Sequence, residues 1–148
     1  MTETELIQKL TAGLPSDSSV LTGPGDDCAV IELGGQKLLF KTDAIVEGIH
    51  FKGDALPEKI GRKAMARSLS DIAAMAGTPT HALVTLGLRE THKPAFIERI
   101  FLGLRDIAAE HCVNIVGGET TTLPKLTLSI SLLGTCPKPI LRIGSRAG

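Results

Sequence analysis

The chain has no Trp and no Tyr, and only four Phe among its 148 residues. Aromatic platforms for stacking bases or sugars therefore have little to be built from. Charge of one sign is also missing: Lys plus Arg is 16 and Asp plus Glu is 16. A dedicated nucleic-acid binder normally carries a basic surplus, so nucleic acid is not an expected partner. Cysteine is sparse and scattered at Cys28, Cys112 and Cys136, an odd number with no CxxC and no zinc-spaced His. Buried free thiols in a reducing, cytoplasmic compartment are the expectation. No apolar run approaches the ~20 residues of a membrane span. The opening MTETELIQKL lacks the apolar core of a signal peptide, so no membrane role is expected. A GxxxxGK[ST] motif is absent, and any nucleotide must be held without a P-loop.

What is present is ordinary globular usage, 43% hydrophobic and 22% charged. The length suits one domain over 1–148, able to bury roughly 68–70% of its unfolded surface. Thr2 followed by Glu5 has capping-box spacing, and Leu6, Ile7 and Leu10 continue at helical intervals until Gly13 and Pro15. GPGDDCAVIEL (23–33) reads as a Gly-rich turn feeding a strand. Gly34-Gly35 signals a hairpin, and QKLLFKTDAIV returns as a second strand. A helix is expected over 57–76, started by Pro57 and stopped at Gly77, and another over 94–112. HALVTLGL (81–88) reads as a strand, and VNIVGGETT as a short strand running into a Gly-Gly turn. In 125–135, Leu126, Leu128, Ile130 and Leu132 share one face, with Thr127, Ser129 and Ser131 on the other. The order ββ-α-β-α-β-β implies an α+β domain, a mixed sheet with helices packed on one face. PKPILRIGSRAG reads as a linker towards a second domain that this chain lacks.

Acidic residues recur beside glycines or at element edges: Asp26-Asp27, Asp43, Asp71 and Glu119. Taken singly, each has an ordinary structural use as turn, cap or solvated charge. Asp71 is different. At about 100° per residue it projects within roughly 20° of Ile60 and Ala64, at the edge of the apolar stripe. An ionised carboxylate there needs a counter-charge, which Arg67 one turn earlier or a metal ion would supply. Converging carboxylates repel, and a hard divalent cation such as Mg²⁺ relieves that while recruiting phosphate oxygens. Glycines next to Asp27 and Glu119 let backbone N–H groups approach a phosphate.

GPGDDCAVI, KTDAIVEGIHF, GRKAMARSLSDIAAMAGTP and NIVGGETT, in this order and spacing, resemble the N-terminal domain of the thiamine-monophosphate kinases. That family belongs to the superfamily of aminoimidazole ribonucleotide synthetase, selenophosphate synthetase and a hydrogenase maturation factor. The resemblance implies phosphoryl transfer from ATP to thiamine monophosphate, giving thiamine diphosphate and ADP with several Mg²⁺ ions. By the same resemblance Asp27, Thr42, Asp43, Asp71 and Glu119 belong to the metal shells. Gly118, Glu119 and Arg142 meet the nucleotide, and His50 stands at the thiamine-phosphate side. It also implies a homodimer formed through the N-terminal sheet, with strands 37–46 and 125–135 as the shared surface. Three departures stand out. Lys41 replaces a small Ser or Thr, leaving open a metal position or a direct phosphate contact. Glu119 replaces Asp, and the family's C-terminal domain is not in the chain. A related enzyme with another small-molecule substrate, or a non-catalytic dimerisation or nucleotide-binding module, are the alternatives.

Overall fold

The structure, a computed structural model, describes residues 1–142. Helix α1 (Glu3–Thr11) begins at the expected capping box. The Glu5 amide donates to Thr2 Oγ1 (3.3 Å), and the Thr2 amide donates to Glu5 Oε2 (2.7 Å). None of its residues is buried, so its apolar stripe has no partner among the described residues. The chain then runs through β1 (Val20–Thr22), β2 (Ala29–Leu33), β3 (Gln36–Val46), α2 (Pro57–Ala74) and β4 (Thr78–Leu88). It ends with α3 (Pro94–Glu110), β5 (Asn114–Thr122) and β6 (Thr127–Thr135). The linker reading of the C-terminal stretch rests largely on residues 143–148, which lie outside the described residues.

The six strands form one mixed sheet in the order β1-β2-β3-β6-β4-β5. Every pair is antiparallel except β4–β5, which needs the crossover that α3 supplies. Gly34 and Gly35 make the β2–β3 turn with φ of 57° and 78°, the left-handed pair that a two-residue hairpin demands. The expected alternation of β6 holds: Leu126, Leu128, Ile130 and Leu132 are all buried. They are joined by Ala82, Val84 and Leu86 of β4 and by Leu39 and Ile45 of β3. Helix α2 packs on β3, β6 and β4, and α3 packs on α2 and β5, so one sheet face carries the core. The two helices approach closely. A Cβ on Gly61 would stand 1.9 Å from the Ile100 carbonyl oxygen, and one on Gly103 1.9 Å from that of Glu58. No helix of the described residues is long and apolar enough to cross a membrane.

Three local expectations are corrected. Strand β1 is added; its three residues pair with β2 through a bulge and are too short to leave a periodic signature. Gly117-Gly118 is not a turn, because β5 runs straight through it to Thr122. Glycine is needed there for approach: a Cβ on Gly118 would lie 1.8 Å from the Val84 carbonyl oxygen of the neighbouring strand. Helix α2 stops at Ala74, and the left-handed residue beyond it is Ala76 (φ 59°), not Gly77. The Gly77 amide closes the helix on the Ile72 carbonyl at 2.9 Å, and its missing side chain makes room for Leu39.

Candidate active site

Period-two alternation in β3 puts Lys41 and Asp43 on the helix-covered face, between buried Leu39 and Ile45. A spacing of four puts Arg67 and Asp71 one turn apart on α2. Where α2 crosses β3, the four charges pair crosswise. Lys41 Nζ lies 2.7 Å from Asp71 Oδ2, and Arg67 Nη2 lies 3.4 Å from Asp43 Oδ1. The counter-charge of Asp71 is therefore Lys41 and not Arg67, which corrects the expectation from helical spacing. Each element brings one cation and one anion, so neither pairing is visible until the helix is set on the strand.

The loop before β2 adds two more carboxylates. The Asp27 amide donates to Asp26 Oδ1 (2.8 Å), and the Arg142 amide donates to Asp26 Oδ2 (3.0 Å). The Arg142 guanidinium pairs with Asp27 Oδ1. Next to them the Cys28 amide donates to Met75 Sδ at 3.1 Å, anchoring the loop to the end of α2. Burial first, and then the Asp71 carboxylate, push the Cys28 thiol up to about 11 against the opposing pull of Lys41. Cys28 is thus a buried, inert thiol within reach of the same charges. Burial also works against the charge of Lys41, yet the Asp71 hydrogen bond and the Asp71 and Asp43 charges outweigh it, so its pKa is raised. Asp27, Asp43, Asp71, Lys41, Arg67 and Arg142 make one charged cluster.

The remaining residues singled out in the sequence lie elsewhere. Thr42 alternates onto the opposite face of β3, where Ser131 Oγ donates to its hydroxyl (3.2 Å) and Ser129 Oγ lies at 3.4 Å. His50 sits in the turn after β3. Its Nδ1 accepts the Val46 amide (3.0 Å), and its carbonyl accepts from Lys63 Nζ. Gly118 and Glu119 belong to β5 at the sheet's edge, Glu119 in register with Thr85. They line a cleft of about 640 Å³ between β5 and α3, with Phe101, Arg105 and Ala108 on its other wall.

Among the described residues, no group of three or more His, Cys, Asp or Glu side chains is placed to share one metal ion. Separate aspartates, each already balanced by a cation, suit a different arrangement. Mg²⁺ binds through one or two carboxylates and completes its shell with water and substrate phosphates. The hard oxygen donors here fit that chemistry.

Residues 25–136 match the model of the AIR synthase related protein, N-terminal domain. The chain is 35% identical over 124 residues to the thiamine-monophosphate kinase of Aquifex aeolicus, covering 84% of this chain and 40% of that protein. It is 37% identical to that of Rhodopirellula baltica over 139 residues, covering 87% and 44%. The solved structure of AaThiL complexed with AMPPCP and TMP superposes with a TM-score of 0.85 at 32% identity, over 98% of this chain and 44% of that one. The chain thus spans less than half the length of the relatives it matches. With the sheet order, the covered face and the sequence agreeing, it belongs to the family of AIR synthase related proteins, in the part that forms their N-terminal domain.

Proposed function

We propose that this chain supplies the nucleotide- and metal-binding half of an enzyme that phosphorylates thiamine monophosphate with ATP, yielding thiamine diphosphate and ADP. The observation that carries this reading is the cluster of Asp27, Asp43 and Asp71, each held by a cation of the chain. It is supported by the relatives named thiamine-monophosphate kinase and by the bound AMPPCP and TMP of AaThiL.

Phosphoryl transfer asks a protein for positioning and charge stabilisation rather than covalent chemistry. Mg²⁺ held here would neutralise the charge that builds on the transferring phosphoryl oxygens. Asp27 and Asp43 would present oxygens to such ions, with Glu119 doing so from β5, while the carboxylate of Asp71 is shared with Lys41. Thr42 would contribute through its main chain, since its hydroxyl lies on the other face of β3. Arg142 and the glycine-lined edge at Gly118 would meet the nucleotide. His50, with Nδ1 engaged by its own turn, keeps Nε2 for the thiamine-phosphate side.

The exposed sheet face is the proposed dimer surface. Phe40 and Leu83 are 50% and 47% exposed there, around an apolar groove of about 350 Å³ that Leu38 and Leu133 also line. A second copy covering it would make the homodimer that the resemblance implies. A cytoplasmic setting fits free thiols and the reaction.

Calorimetric titration with AMPPCP, with and without Mg²⁺, tests the central claim on wild type and Asp43→Asn. Arg67, 40% exposed, turns to solvent when its partner is neutralised, so the fold survives. Mg²⁺-dependent binding is expected in wild type and weakened roughly tenfold or more in Asp43→Asn, at least the loss seen for outer-shell partners. Equal binding by the two proteins, or binding indifferent to Mg²⁺, overturns the reading.

A further inference from the structure

We propose that the Lys41 ammonium is a built-in cation of this site, holding the place at Asp71 that a divalent ion would otherwise take. The inference rests on the phosphotransfer reading and refines which carboxylates are open to metal. Three carboxylates of the cluster carry a cation, but the three cations are not equally free to leave. Arg142 and Arg67 are 66% and 40% exposed, so water already reaches the guanidinium groups beside Asp27 and Asp43. Lys41 is only 24% exposed, whereas the three carboxylates are alike in burial, Asp71 at 23%, Asp43 at 19% and Asp27 at 18%.

Nor can the strand carry Lys41 away. Its backbone is fixed in register opposite Leu132, which is fully buried, and Leu39 and Ile45 lock the same face of β3 into the core. The flexible stem therefore ends where both Asp71 and Asp43 act on the ammonium, and Asp71 is in direct contact. A lysine head group is a compact point charge with three donors, able to balance a carboxylate as a small cation does. It brings one positive charge where a divalent ion brings two. Divalent ions then enter at Asp27 and Asp43, while Asp71 stays with Lys41.

The test counts bound Mn²⁺ per chain by electron paramagnetic resonance at saturating AMPPCP, comparing wild type, Lys41→Thr and Lys41→Met. Methionine keeps most of the stem's volume and offers no oxygen ligand, so it removes the charge alone and guards against a variant that fails to pack. Both variants should bind one more Mn²⁺ than wild type. Without metal both should melt at a lower temperature, and Mn²⁺ should raise their melting temperature more than that of wild type. An unchanged count in both variants overturns the proposal while leaving the phosphotransfer reading standing. A gain in Lys41→Thr alone also overturns it, because the extra ion then belongs to the new hydroxyl. No Mn²⁺ on any of the three proteins overturns both readings together.

Discussion

Strand β3 displays the two faces of this sheet within one run of residues. Leu39, Lys41, Asp43 and Ile45 turn towards α2, whereas Leu38, Phe40, Thr42 and Ala44 turn away. On the covered face the aliphatic residues are sealed from water, and each charge has met an opposite charge from α2. On the open face Phe40 remains half exposed, and the hydroxyls of Thr42, Ser129 and Ser131 bond, among the described residues, only to one another. The contrast follows from dielectric and geometry. A charge under a helix must be balanced by a second charge, and here that requirement draws two cations and two carboxylates together where α2 crosses β3. An uncovered face tolerates hydroxyls and apolar groups alike, and its apolar area stays exposed.

Neighbouring residues of β6 give the sharpest test, because they share a backbone and differ in face. Ile130 is fully buried against the helices, so Ile130→Ala should cost about 2–5 kcal/mol in urea unfolding. Ser131, one residue on, faces the open side, and Ser131→Ala should stay within about 0.5 kcal/mol. Similar losses at both positions would mean that the open face is covered, by the chain itself or by a second copy. Phe40→Asp probes the same face for association. It should leave the circular dichroism spectrum intact while converting a dimer to a monomer in sedimentation velocity. A monomeric wild type, or a variant that still dimerises, would detach the groove from self-association.

The covered face was the more legible in sequence because its signals are local. The alternation of β6, the paired glycines of the β2–β3 turn and the prolines opening α2 and α3 each act within a few residues, and each is where the pattern puts it. The candidate site was legible in residue type but not in pairing. Helical spacing joined Arg67 to Asp71, whereas the crossing of α2 over β3 gives Asp71 to Lys41 and Arg67 to Asp43. That choice depends on how one element is set upon another, which no spacing within either element encodes. Gly117-Gly118 misleads for a related reason. Glycine signals a turn when read along the chain, but here Gly118 answers to the carbonyl of Val84 on the adjacent strand. Helix α1 shows the converse, since its cap forms as spelled while its apolar stripe is covered by none of the described residues.

A modest effect is expected at the rim where the two faces meet. Glu47, just beyond β3, accepts from Arg89 at the end of β4 (2.8 Å) and from the Leu126 amide before β6 (3.3 Å). It thereby ties three strand ends together. The Arg89 hydrogen bond holds the Glu47 carboxyl below its ordinary value of 4.5, against the opposing effect of burial. A carboxyl depressed in the folded state binds its proton more readily when unfolded. Its contribution is therefore complete above the unfolded value, and it is lost as pH falls through the folded one. Wild type should lose stability on acidification below pH 4.5 more steeply than Glu47→Gln. At pH 7 the variant should be the less stable by up to about 1 kcal/mol, the range of partly exposed ion pairs. The two urea midpoints should converge once Glu47 is protonated. Parallel acid curves would show that Arg89 gains nothing from the charge, and that the rim is held by the hydrogen bond to Leu126 and by packing alone.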